Sequence, residues 1–147
     1  MIRLSKLTDY GIVLLTHLAM EDDRALQTAQ DLARRSRVPL PTASKLLKSL
    51  ARAGLVVSHR GRRGGYGLAR DAERISVAEV ISAIEGPIGL TECGTGGCDL
   101  EATCAARGRW GAISLAVERA LSEVPLSSMR PQPEAVVRLR RPTGVTT

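Results

Sequence analysis

Cys93, Cys98 and Cys104 fall within twelve residues, in a stretch with five glycines between Gly86 and Gly97. Thiolates are soft ligands, and glycine permits the sharp turns that let three of them converge on one centre. Zinc sites usually pair their cysteines as C-x2-C and complete four good nitrogen or sulfur ligands. This stretch has neither such a pair nor a nearby histidine. The four- and five-residue gaps suit an iron–sulfur cluster better, although they do not reproduce a ferredoxin run. An iron–sulfur cluster, a zinc site and a thiol switch all stand open on the residues alone. An odd cysteine count fits a disulfide framework poorly. The same loop carries Glu85, Glu92, Asp99 and Glu101 and no base, so its charge does not favour the thiolate.

A second constellation lies upstream. Residues 31–57 carry six basic side chains against the single acid Asp31, and residues 58–70 carry four arginines and no acid. Within a net charge of +6, this clustering is the electrostatic footprint of a polyanionic partner. Only three aromatic residues occur, Tyr10, Tyr66 and Trp110, which disfavours single-strand recognition by base stacking. No signal peptide is visible, and the longest apolar stretch, Gly11 to Met20, is too short for a bilayer and broken by His17. A cytoplasmic address with no membrane partner is therefore expected, where thiols stay reduced.

These groups need elements to position them. Ile12, Leu15, Leu18 and Ala19 repeat at helical spacing and predict a first helix over Thr8 to Met20. Thr28-x-x-Asp31 predicts a capped second helix ending near Ser36. Pro41 should open a third, running to Ala53, with Gly54 as its left-handed stop. Leu46, Leu47 and Leu50 face inward on that helix, leaving Pro39, Pro41, Thr42, Ser44 and Lys45 for base edges and Lys48 and Arg52 for phosphates. Leu55 to Ser58 and Tyr66 to Leu68 read as strands around a Gly61-Arg62-Arg63-Gly64-Gly65 turn, a wing presenting Arg60, Arg62 and Arg63 to a narrow minor groove. The predicted fold is mainly α: a winged helix-turn-helix with a two-stranded wing.

Ser76-x-x-Glu79 predicts a further capped helix closed by Gly86-Pro87. A last long helix is expected over Cys104 to Glu123, with Trp110, Ile113, Val117 and Leu121 as an apolar seam for pairing two subunits. The domain organisation that follows is a DNA-binding domain over 1–85, a cysteine loop over 86–103, a dimerisation element over 104–129 and a disordered basic tail over 130–147. His17 reads as a partly buried structural residue, and His59 as incidental.

Several strings together resemble one family. Arg3-Leu-Ser-Lys-Leu-Thr-Asp9-Tyr-Gly, His59-Arg-Gly-x-x-Gly-Gly-Tyr66 and the three-cysteine loop are similar to the IscR/NsrR family of dimeric winged-helix iron–sulfur regulators. Pro39-Leu-Pro-Thr-Ala-Ser-Lys-Leu-Leu-Lys48 and Leu90-Thr-Glu-Cys93 look most like its subclass that regulates SUF-type iron–sulfur assembly operons. The likeness covers roughly residues 1–129. It implies that Cys93, Cys98 and Cys104 ligate a cluster. The IscR type adds a histidine three residues past the last cysteine, where this chain has Arg107, which cannot ligate, and its first cysteine gap is one residue longer. The NsrR type uses an aspartate in the partner's first helix, and Asp9 matches that position, with Glu92, Asp99 and Glu101 as local rivals. The lost histidine tips the expectation toward 4Fe–4S over 2Fe–2S.

The resemblance thus implies a homodimeric repressor of iron–sulfur assembly genes that binds a double-stranded operator, senses its own cluster and receives that cluster from the assembly machinery. An iron–sulfur carrier docking an acidic partner, or an apo thiol-redox DNA-binding regulator, are the alternatives. An enzyme is not expected, since no nucleophile–base pair, phosphate loop or acid–base pair stands out.

Overall fold

The computed structural model describes residues 3–20, 25–92, 97–100, 102–106 and 108–131. Cys93, Glu101 and the tail beyond residue 131 lie outside the described residues. The elements run α1 (Lys6–Ala19), α2 (Ala29–Ser36), α3 (Leu40–Arg52), β1 (Val56–His59), β2 (Gly65–Leu68), α4 (Val77–Glu85) and α5 (Arg109–Ser122), with short 3-10 turns at Ala72–Arg74 and Leu126–Met129.

Local chemistry sets most boundaries. The Ser5 hydroxyl accepts the Thr8 N–H and starts α1 at Lys6, before the expected Thr8. Thr28 caps α2 by accepting the Asp31 N–H at 3.1 Å. The reciprocal half of the expected box is replaced: the Asp31 carboxylate takes the Thr28 hydroxyl at 2.7 Å and the Arg34 guanidinium at 3.0 Å. Ser76 and Glu79 make the complete box, with the Ser76 N–H donating to the carboxylate at 2.8 Å and the Glu79 N–H to the hydroxyl at 3.2 Å. Arg37 ends α2 at φ 59°, a left-handed conformation for a residue with a Cβ.

The core is aliphatic, as the aromatic scarcity requires. Leu14, Leu15, Leu32, Leu47, Leu50, Ile75 and Leu126 are fully buried where α1 to α4 meet. Helices α1 and α4 approach closely at Gly11, where a Cβ would stand 2.3 Å from the Ile84 Cδ1. The wing is an antiparallel pair in the register Val56↔Leu68 to His59↔Gly65. It starts one residue later than expected because the Leu55 N–H closes back on the Leu50 carbonyl at 3.0 Å.

One expectation at the C-terminal side needs correction. Helix α5 opens at Arg109 rather than Cys104, because the preceding Gly108 is left-handed at φ 77° and turns replace helix around Cys104. The segment after α5 is hydrogen-bonded to the start of α4 and the residues before it. The Val77 N–H donates to the Val124 carbonyl at 2.9 Å, the Leu126 N–H donates to the Ile75 carbonyl at 2.8 Å, and Leu126 is fully buried.

Candidate nucleic-acid interface and cysteine loop

Helix α3 buries Ala43, Leu46, Leu47 and Leu50 and turns its other side to solvent. Pro41, Lys45, Lys48 and Arg52 are exposed there, while Thr42 and Ser44 are half-buried. No side chain caps its start, so its first N–H groups remain open to an acceptor. Arg60, Arg62 and Arg63 are exposed on the wing turn.

The tertiary fold unites part of this set. A cleft of about 630 Å³ runs between the start of α2, the second half of α3 and the wing. Lys48, Arg52, Arg60, His59 and Thr28 line it, and among the described residues no acid does. Sequence reasoning found the three cations but set His59 aside and missed Thr28, since nothing local indicates that α2 starts opposite the wing. Arg62 and Arg63 stand outside this cleft, at the wing tip.

The wing is held to the helices by Gln27, a buried residue that drew no attention in the sequence. Its backbone bridges Tyr66 in both directions, at 2.9 and 2.7 Å. Its side chain accepts from Arg35 at 2.8 Å and donates to the His17 carbonyl at 3.5 Å. Gly65 lies so close that a Cβ there would stand 2.7 Å from the Gln27 carbonyl oxygen. His17 itself is half-buried with an unpartnered Nδ1, and desolvation, aided by the Arg35 charge, holds its pKa below the usual value.

Cys98 and Cys104 are free, half-buried thiols. Among the described residues no three His, Cys, Asp or Glu side chains converge on a point that would hold a metal ion. Asp9 is exposed in the first turn of α1, and Asp99 is exposed in the loop. The loop is pinned to α5 by the Leu90 N–H, which donates to the buried Ser114 hydroxyl at 3.2 Å. The donor chemistry suits a soft metal centre: reduced, partly accessible thiols, with a glycine at 97 that has open space around it.

Helix α5 divides the expected seam. Leu121 packs against the domain core and Val117 is half-buried, whereas Trp110 and Ile113 remain 41% and 45% exposed. Leu115, absent from the predicted seam, is 52% exposed. Among the described residues no helix is long and apolar enough to cross a membrane.

Residues 4–131 match the Rrf2 family model, described as an iron-dependent transcriptional regulator. The chain is 32% identical over 128 residues to the HTH-type transcriptional regulator IscR of Xenorhabdus nematophila, covering 86% of this chain and 78% of that one. It is 30% identical to IscR of Cronobacter sakazakii, covering 86% and 79%. Among solved structures it is similar to CymR, the global cysteine regulator of B. subtilis, with a TM-score of 0.71 and 27% identity over 89% of this chain and 100% of that one. It is also similar to T. potens IscR, with a TM-score of 0.66 and 26% identity over 87% and 85%.

Proposed function

Since this chain belongs to the Rrf2 family of iron-dependent transcriptional regulators, we propose that it is a homodimeric, cytoplasmic repressor of iron–sulfur assembly genes whose operator affinity follows a bound iron–sulfur cluster. It is a helix-turn-helix transcriptional regulator and not an enzyme, as its relatives are. The single observation that carries the DNA reading is the cleft that joins Lys48 and Arg52 of α3 to Arg60 of the wing. Two independent elements present cations to one continuous groove, which suits a DNA backbone running between recognition helix and wing. Pro41, Thr42, Ser44 and Lys45 then face base edges, and Arg62 and Arg63 reach for the minor groove.

Cys93, Cys98 and Cys104 would hold the cluster, with Asp9 of the partner subunit as fourth ligand. The absence of a histidine at Arg107 favours 4Fe–4S over 2Fe–2S. When bound, the cluster supplies a centre sensitive to iron supply and oxidation, delivered by the assembly machinery. The protein's own residues position it: the Leu90–Ser114 hydrogen bond ties the loop to α5, and Glu85 ties the start of that loop to α1. Trp110, Ile113 and Leu115 supply the unpartnered apolar surface for a second subunit, with Val117 at its margin.

The test is iron, sulfide and visible absorbance on anaerobically purified protein, with operator binding titrated before and after cluster removal. Near-equal iron and sulfide, loss of absorbance in Cys98→Ser, and altered DNA affinity on removal are expected. Zinc or no metal, with unchanged DNA binding, would overturn the cluster reading and leave the DNA reading intact.

A further inference from the structure

The solvent face of α3 changes chemistry along its length. Its stem carries the exposed cations Lys45, Lys48 and Arg52. Its tip, Pro39-Leu40-Pro41-Thr42, carries no charged side chain and no side-chain amide. Arg, Asn, Gln and Glu, which make hydrogen-bonded pairs with base edges, are missing from that first turn. Leu40 occupies the first helical position, 44% exposed and outside the core cluster, between two exposed prolines.

A lone exposed leucine is ordinary on a protein surface. This one stands at the leading tip of a helix whose exposed stem is cationic, the end by which a recognition helix meets base edges. Base edges in the major groove display one methyl group, the C5-methyl of thymine. A leucine flanked by rigid proline rings has the shape and polarity to cover that methyl, and it offers nothing to the donors and acceptors of the other bases.

Building on the DNA-binding reading, we propose that Leu40, with Pro41 and the Thr42 methyl beside it, reads thymine C5-methyl groups. Specificity at the α3 tip then comes from apolar contact with thymines in each half-site, and phosphate contacts from the stem supply affinity.

The full-length protein, cluster-loaded and apo in parallel, would select duplexes from a random-sequence library. The enriched duplex would then be synthesised with each thymine replaced singly by deoxyuridine, which removes only the methyl. One or two replacements per half-site should weaken binding by about fourfold each, the worth of one buried methyl. Leu40→Ala should lose that sensitivity while keeping the wild-type far-UV spectrum and salt dependence. Tolerance of uracil at every position would overturn the proposal while the enriched duplex still upholds the DNA reading. Undiminished uracil sensitivity in Leu40→Ala would overturn the assignment to Leu40. Failure of both forms to enrich any duplex would instead sink the DNA reading, and the proposal with it.

Discussion

The carboxylate of Glu85, the last residue of α4, accepts the hydroxyl of Thr8, which is fully buried near the start of α1. The Ser5 N–H donates to the same carboxylate oxygen at 2.9 Å. These two hydrogen bonds hold the Glu85 pKa below the usual carboxylate value, the Thr8 hydroxyl contributing most. Asp9 follows Thr8, and Gly86, which opens the cysteine loop, follows Glu85. One carboxylate therefore braces the two segments that carry the proposed cluster ligands.

Removing that carboxylate strands a buried hydroxyl. Glu85→Ala should cost about 1–3 kcal/mol in urea denaturation at neutral pH, whereas Glu85→Gln, which keeps an acceptor, should cost less. A depressed carboxylate pKa gives stability that is present above the unfolded-state value and lost as pH falls through the folded-state value. The difference between wild type and Glu85→Gln should accordingly shrink in acid.

His17 gives a second handle on pH, in a higher window. Burial and Arg35 disfavour its charged form in the fold, so the unfolded chain binds its proton first as pH falls. Stability should decline from about pH 6.5, the ordinary histidine value, down to the lowered folded-state pKa, and then level off. Thermal melts of His17→Leu should lack that decline; an identical profile would place the titration elsewhere.

Wing placement depends on the gap between Gly65 and Gln27. Gly65→Val would drive a side chain into backbone, which cannot yield as a flexible side chain does. Loss of the Gln27–Tyr66 bridge should weaken DNA binding at least tenfold in gel-shift titration, beyond what Arg60→Ala alone costs. Gly61→Ala, at φ 113° with open space around it, should strain only the turn and serve as the milder control.

Salt dependence separates stem from tip. If about six to ten phosphates are neutralised per dimer, affinity should fall ~10³–10⁵-fold between about 50 and 200 mM salt. Lys48→Ala and Arg52→Ala should each lower the slope of log affinity against log salt by about one per contact removed, across all duplex sequences. An unchanged slope would show that the cleft does not carry backbone.

For the apolar face of α5, Ile113→Glu with Leu115→Glu should convert a dimer to monomer in sedimentation analysis without unfolding the chain. Both side chains are exposed, so each charge can stay solvated in the monomer but would be buried in an interface.

The sequence by itself determined the helix-turn-helix and the wing, because these rest on short-range rules. Hydrophobic period, capping residues such as Ser76 with Glu79, and glycine turns act within a few residues and need no partner from afar. It also placed cations on α3 and the wing correctly, since exposure follows from the buried face of one helix. Only the tertiary structure decided that Lys48, Arg52 and Arg60 share one cleft with the start of α2, that Gln27 anchors the wing, and that Glu85 holds Thr8. Those pairs lie eight to 77 residues apart and meet because separate elements pack on one aliphatic core. The division of the α5 seam is of the same kind. A helical stripe is written in the sequence, but which of its residues meet the domain depends on where Leu126 and its neighbours return to cover the core.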